Sequence, residues 1–431
     1  MLCSFCLRRF VRSQQVSARF LRGGGGSSKI SFELNQSSAR QADPPRSQSR
    51  SQPQEPGPVA DLLKNSASYL DLQASVVEDV WASSPYPKNA RLEREQTRHS
   101  IRPKVNPAET SIILFPGQGA QYVGMGRELE KYPNVKDLYA HASSILGYDL
   151  WQLSTAGDLD VLSRTEHQQP AIFVASLAAI EKLRDERPVG VESCIAVAGF
   201  SVGELAALVF AGSIPFEAGL QLVKIRARAM QEASEREPSG LMTVHLHSNS
   251  KLSLACTAAK EYMRMELNHL FPVCQVSSHL FSECKVVGGH EQALQFIADN
   301  ASKFGLDPRR MKRLRVSGAF HTPLMQTAIE PYEEALQQAD IREPLISVHS
   351  NVDAKPHGKP RDIRKKLLKQ APFLFQLYMA VKWEQIMHIL YDRDQGAGFP
   401  HTYEVGPGKQ LGVMLRKTNM KAANNYTHIP A

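Results

Sequence analysis

Residues 194–212 constrain the fold more tightly than any other stretch of the chain. CIAVAGF (194–200) is a short apolar run of the kind that forms a buried strand. It passes without a spacer into SVGELAALVFAG (201–212), which has helical spacing and ends on Gly212, where a helix can close. A strand that feeds directly into a helix is half of a βαβ unit, and such units build parallel sheets covered by helices. TSIILF (110–115) is a second buried run, stopped by Pro116 and Gly117. Helical spacing recurs over 122–146, over 169–186 with Pro170 near the start, and over 216–234. The expectation is an α/β fold with a parallel-sheet, α/β hydrolase-like core.

The texture changes between 237 and 315. LMTVHLH reads as a strand, KLSLACTAAKEYMRM as a helix, CQVSSHL and CKVVGGH as two strands across a short turn, EQALQFIADNASKF as a helix and MKRLRVS as a last strand. The order βαββαβ is that of a ferredoxin-like subdomain. It reads as an insertion, because α/β texture resumes in ISVHSNV (346–352) and HTYEVGPGKQ (401–410). The expected division is 1–57 leader and linker, 58–108 helical connector, 109–236 first part of the core, 237–315 inserted subdomain and 316–431 second part of the core.

The formal charge of +8 raises the question of nucleic acid. Its location answers it. Residues 1–57 hold eight Arg and one Lys against Glu33, Asp43 and Glu55, a net of +6, which leaves about +2 for the rest. A basic nucleic-acid domain keeps its charge in the folded part, so no nucleic-acid partner is expected. The first residues, MLCSFCLRRFVRSQQVSARFLR, carry five arginines and no acid, with apolar side chains between them. An Arg- and Ser-rich, acid-poor start reads as a mitochondrial transit peptide, and a matrix location follows from it. No uncharged apolar run reaches the ~20 residues that cross a bilayer, so integral membrane association is not expected. Of six cysteines, Cys3 and Cys6 lie in the leader, and Cys194, Cys256, Cys274 and Cys284 form no C-x2-C pair. They fit a reducing compartment, with no metal site.

Gly199-Phe200-Ser201-Val202-Gly203 matches G-x-S-x-G between a predicted strand and a predicted helix. Glycines flank the serine because a sharp strand-to-helix turn brings backbone close together. Such a turn exposes the serine Oγ and leaves the first helical N–H groups, Val202 among them, beside a reacting carbonyl. On the pentapeptide alone, an ordinary turn with a surface serine remains open. A serine nucleophile needs a base. His321, in GAFHTP after the predicted strand RLRVS, is the best placed, although a loop-bridging histidine would look the same locally.

Phe115-Pro116-Gly117-Gln118-Gly119-Ala120-Gln121 resembles the signature that opens malonyl-CoA:acyl carrier protein transacylases and the acyltransferase domains of fatty acid and polyketide synthases. GFSVGE around Ser201, Arg226 in VKIRARAMQEAS, GAFH ending at His321 and EVGPGKQLG follow in the family's order, over about 110–420. The resemblance is nearest to the mitochondrial members. It implies Ser201 as nucleophile, His321 as base, Gln118 and Val202 as oxyanion-hole N–H donors, and Arg226 as the holder of a malonyl carboxylate. It also implies that a glutamine backbone carbonyl orients the histidine. Gln376 in QLYMAVKW matches best, with Gln370 as a rival and Ala380 where the family has proline. Phe320 resembles malonyl-selective relatives, and its bulk should crowd an α-methyl branch. Phe200 stands where the family often has histidine.

The expected partners are malonyl-CoA and the mitochondrial acyl carrier protein, whose acidic helix would suit Arg309, Arg310, Lys312, Arg313 and Arg315, or Lys365, Lys366 and Lys369. No cofactor is expected, since the coenzyme A thioester is a substrate, and a monomer is expected. Two other classes share parts of this pattern. A serine hydrolase shares G-x-S-x-G but leaves FPGQGAQ and Arg226 unexplained, and prefers water to a thiol as acceptor. A non-catalytic scaffold that binds carrier protein needs none of Ser201, His321, Gln118 and Arg226, and shows no acylation burst.

Overall fold

The computed structural model describes residues 106–369 and 380–431. The leader, the connector up to residue 105, Gln370 and Gln376 lie outside them. Nine strands among the described residues form two sheets. Five are β1 (Ser111–Phe115), β2 (Cys194–Gly199), β7 (Ser347–His349), β8 (His401–Gly406) and β9 (Tyr426–Pro430), in the order β7-β2-β1-β8-β9. Every pairing in this sheet is parallel. The others are β3 (Ser239–His245), β4 (Cys274–Phe281), β5 (Cys284–His290) and β6 (Met311–Arg313), antiparallel in the order β4-β5-β3-β6.

The helices of eight residues or more are α1 (Val135–Leu146), α2 (Thr165–Glu186), α3 (Val202–Phe210), α4 (Phe216–Ser234), α5 (Leu252–Glu266), α6 (Glu291–Asp299), α7 (Ile329–Gln338), α8 (Pro360–Lys369), α9 (Trp383–Leu390) and α10 (Gln410–Thr418). They cover both faces of the parallel sheet, which is why its central strands β1 and β2 read as apolar runs. Ile113 and Phe115 of β1 join one core with α2 and α3, while Ile112 and Leu114 join the other with α9 and α10. Each such side chain, fully buried, stabilises the fold by about 1.5–3 kcal/mol.

Residues 239–313 run βαββαβ. Met242, Val244 and Val287 form a separate core with Ala255 and Ala259 of α5 and Leu294 of α6. Leu241, Leu280 and Val286 instead meet Met230 of α4 and Phe320. The small sheet therefore braces the loop that carries His321.

Three local expectations are corrected. Helical spacing over 122–146 yields a short 3-10 helix at Arg127–Leu129 and an α-helix only from Val135. Gly124 and Gly126 adopt φ of 104° and 91°, conformations outside any right-handed helix, and Pro133 follows. The helix containing Pro170 begins at Thr165, which places the proline inside it rather than at its start. MKRLRVS is a strand only over Met311–Arg313. Its edge pairing with β3 closes on one further bond, from the Leu314 N–H to the Leu241 carbonyl at 2.9 Å, and Leu314 and Val316 pack beside Phe320. His321 thus arrives on a loop that leaves the antiparallel sheet. The strand β9 has no counterpart in the sequence reading.

EVGPGKQLG has a structural explanation. Glu404, fully buried in β8, accepts the N–H groups of Leu411 (3.0 Å) and Gly412 (2.8 Å) in the first turn of α10 and the Tyr426 hydroxyl (2.6 Å). Burial pushes its carboxyl up to about 7. A folded-state value above the unfolded one means that this group's contribution is complete below the ordinary value of 4.5 and is lost as pH rises from there to about 7. Thermal denaturation should therefore show the melting temperature falling more steeply between about pH 4.5 and 7 in the wild type than in Glu404→Gln, with no difference in slope above pH 8.

Candidate active site

The carboxyl ends of β1, β2 and β7 gather on one edge of the parallel sheet, where α/β folds place their sites. β2 ends at Gly199 and α3 begins at Val202, so the turn between them contains only Phe200 and Ser201. A Cβ on Gly199 would lie 1.9 Å from the Gly203 carbonyl carbon, and one on Gly203 would lie 2.4 Å from the Phe115 carbonyl oxygen. Neither distance can be tolerated, which is the steric reason for both glycines. Gly117 meets the same constraint, 2.4 Å from the Phe200 oxygen, so the FPGQG loop lies directly against the turn. Phe200, in place of a polar residue, packs edge-on to Trp383 with ring centroids 5.5 Å apart.

Ser201 has φ 55° and ψ −108°. His321 has φ 59°. Such values are rare outside glycine, and strained backbone of this kind clusters at functional sites. The two strained residues meet: His321 Nε2 lies 3.0 Å from Ser201 Oγ. Arg226, on α4, reaches the same oxygen and donates from Nη2 at 3.0 Å. Ser201 Oγ therefore accepts from the guanidinium and donates to the imidazole. All three side chains are more than nine-tenths buried.

Burial, aided by the Arg226 charge, pushes His321 down to about 3. The imidazole is thus neutral and able to take a proton at ordinary pH. Burial also lowers Arg226, against the opposing pull of Tyr332 and Glu204. Labelling of Ser201 by a fluorophosphonate should accordingly show no acid limb between pH 8 and pH 5. A limb centred near 6.5 would show that His321 titrates as an exposed histidine does.

Val202 opens α3, so its N–H has no partner within the helix and stands beside Ser201. Gln118 joins the group through its side chain. Its Oε1 accepts from Gln169 Nε2 at 3.3 Å, and Gln169 Oε1 accepts from Arg226 Nη1. Gln118 Nε2 also donates to Gln168 Oε1 and to Thr165 Oγ1. Thr165 Oγ1 lies 2.9 Å from Ser317 Oγ, on the loop that leads to His321. Phe320, beside the histidine, is buried with Met230 and Leu241.

The structure thus brings together Ser201, His321, Arg226, Val202, Gln118 and Phe320. Gln376 falls outside the described residues, and His321 Nδ1 has no hydrogen-bond partner among them. Sequence reading missed Gln168 and Gln169, which precede Pro170, and Asn351, whose side chain holds the Ser201 N–H at 2.7 Å. The signal for Asn351 was faint: a polar pair, Ser350-Asn351, within ISVHSNV (346–352) and just past the end of β7.

Among the described residues, one group has metal-ligand spacing, Glu237, His269 and His290 in the small subdomain. His290 Nδ1 accepts the Val273 N–H at 2.9 Å, so its Nε2 keeps the proton and donates it to Glu237 at 2.6 Å. That arrangement is a hydrogen-bonded pair, not an open ligand set. No described helix is long and apolar enough to cross a membrane.

Residues 112–373 match the acyl transferase domain family. A Homo sapiens protein, the mitochondrial malonyl-CoA-acyl carrier protein transacylase, is 53% identical over 323 residues, 75% of this chain and 80% of its own length. The chain belongs to the malonyl-CoA-acyl carrier protein transacylase family. Solved structures of this family agree with the fold. The malonyl CoA-acyl carrier protein transacylase of Coxiella burnetii superposes with a TM-score of 0.65 at 27% identity, covering 76% of this chain and 95% of that one. A malonyl-transacylase in complex with its type II PKS acyl-carrier protein gives 0.63 at 28% identity, over 75% of this chain and 96% of that one.

Proposed function

We propose that this transacylase moves malonyl from malonyl-CoA to the phosphopantetheine thiol of the mitochondrial acyl carrier protein in the matrix, supplying fatty acid synthesis. The observation that carries the reading is Ser201 Oγ held between a neutral imidazole and a guanidinium, each at 3.0 Å. The imidazole suits a serine nucleophile, and the guanidinium suits an acyl group that ends in a carboxylate.

Ser201 attacks the thioester carbonyl as His321 Nε2 takes its proton. The N–H groups of Val202 and Gln118 meet the oxyanion. The carbon–sulfur bond breaks, and His321 returns the proton to the coenzyme A thiolate, leaving malonyl-Ser201. The carrier thiol then loses its proton to His321 and attacks the ester carbonyl, and the serine is regenerated. Arg226 forms a two-pronged pair with the malonyl carboxylate throughout. The Gln376 carbonyl would accept the His321 Nδ1 proton and fix the tautomer. No cofactor or metal takes part.

The small sheet, in the order β4-β5-β3-β6, supports reading 237–315 as a ferredoxin-like subdomain inserted between core segments 109–236 and 316–431. A monomer suffices, because one chain supplies every group named. Phe320 should exclude α-branched acyl groups. In a side-by-side assay the enzyme should transfer malonyl at least about tenfold faster than methylmalonyl, and Phe320→Ala should narrow that ratio.

The direct test incubates the enzyme with malonyl-CoA and holo-carrier protein and quantifies malonyl-carrier against free malonate. Malonyl-carrier as the main product is expected. Free malonate as the main product would place the chain among hydrolases.

A further inference from the structure

We propose that Asn351 is a positioning residue for the nucleophile, joined to Glu204 and His357 in a buried network behind the strand-to-helix turn. Asn351 is 1% exposed, and each of its four polar atoms is engaged. Oδ1 accepts the Ser201 N–H at 2.7 Å, and Nδ2 donates to the Gly199 carbonyl at 2.7 Å. Its own N–H donates to Glu204 Oε2 at 3.2 Å, and its carbonyl accepts the Lys382 N–H at 2.9 Å. The amide orientation is forced, because Ser201 N–H can only donate and the Gly199 carbonyl can only accept.

These bonds do two things. They span the turn from the last residue of β2 to the serine, which pins the backbone at its strained φ of 55°. They also occupy the Ser201 N–H, so the oxyanion must be met by other donors, which fits Val202 and Gln118. Glu204 fixes Asn351 in turn. It lies in the first turn of α3, where a carboxylate is favoured by the helix N-terminus, and its Oε1 is 2.7 Å from His357 Nε2. Both of those side chains are fully buried. Through Lys382 the network also anchors the chain next to Val381, whose backbone pairs with Ser277 and His279 of β4. One asparagine thus couples the nucleophile turn, the end of β7 and the segment that leads into α9.

The inference rests on Ser201 being the nucleophile, and its test separates the two. Asn351→Ala and Asn351→Asp are compared with wild type in steady-state malonyl transfer and in labelling of Ser201 by a fluorophosphonate, which needs no malonyl recognition. Asn351→Ala should lose about 100-fold in kcat, the usual consequence of a misplaced reacting group. KM for malonyl-CoA should stay within about threefold, since Arg226 is untouched, and labelling should slow as much as kcat.

Asn351→Asp supplies a readout that a purely structural role would not move. As a carboxylate it cannot donate to the Gly199 carbonyl. Protonated, it can accept from Ser201 N–H and donate to Gly199 as asparagine does. The charged and titratable groups around it are Glu204 and, beyond that, His357, with His321 and Arg226 across Ser201. Its kcat should rise as pH falls from 8 to 5, where the wild type is flat. The proposal is overturned if Asn351→Ala keeps kcat and labelling within threefold of wild type, or if Asn351→Asp follows the wild-type pH profile. If Asn351→Ala fails to fold, the pH profile of Asn351→Asp decides alone. A wild-type enzyme that the fluorophosphonate labels but malonyl-CoA does not acylate would sink the transacylase reading and leave this test intact.

Discussion

Replacing His321 with alanine should slow malonylation of Ser201 by about 10⁴-fold, the upper end of what a positioned general base contributes. The size follows from the geometry. Nε2 lies 3.0 Å from Oγ, and the ring is neutral because burial and Arg226 hold its pKa at about 3. No other described titratable side chain hydrogen-bonds Ser201 Oγ as a base; its second partner, Arg226, can only donate. A single-turnover measurement with malonyl-CoA would check this. A loss below about tenfold would mean that the proton leaves by another route.

Replacing Arg226 with alanine should have the second largest effect and should reverse the preference among acyl groups. A malonyl carboxylate brought into this buried cleft without its guanidinium loses a pairing of about 3–4 kcal/mol, roughly 10²- to 10³-fold in kcat/KM. Acetyl and longer neutral acyl groups should gain, because the wild-type cleft leaves a buried guanidinium unpaired when they bind. The comparison to make is kcat/KM for malonyl-CoA against acetyl-CoA in both proteins. Parallel losses for both substrates would show that Arg226 supports the site without reading the carboxylate. Lysine should not rescue the malonyl activity, since a point charge cannot form the two-pronged pair.

Much of this arrangement was legible in the sequence. The parallel core could be read from β1 and β2, which are buried on both faces and carry apolar runs, whereas β9, YTHIP, carries no such run. The βαββαβ order of 239–313 could be read because the periodicity switches cleanly between strands and helices. Ser201 and His321 could be read because the nucleophile turn and the GAFH loop are local motifs. Other features depended on contacts that no local window contains. Asn351 lies 150 residues from the serine that it holds, and His357 lies 153 residues from Glu204. Pro170 was misplaced because the helix gains a turn before it, where Thr165 N–H bonds the Gln231 side chain. The segment 122–134 was misread because apolar spacing persists through glycines that hold left-handed conformations.

Transfer through Ser201 requires that a malonyl group be carried on its Oγ. Intact-mass analysis of the protein after brief exposure to malonyl-CoA tests it most directly, with Ser201→Ala and acetyl-CoA as controls. A single malonyl adduct is expected, one that requires Ser201, is weak from acetyl-CoA and disappears when holo-carrier protein is added. An unmodified chain that still forms malonyl-carrier, or an adduct that survives in Ser201→Ala, would contradict it.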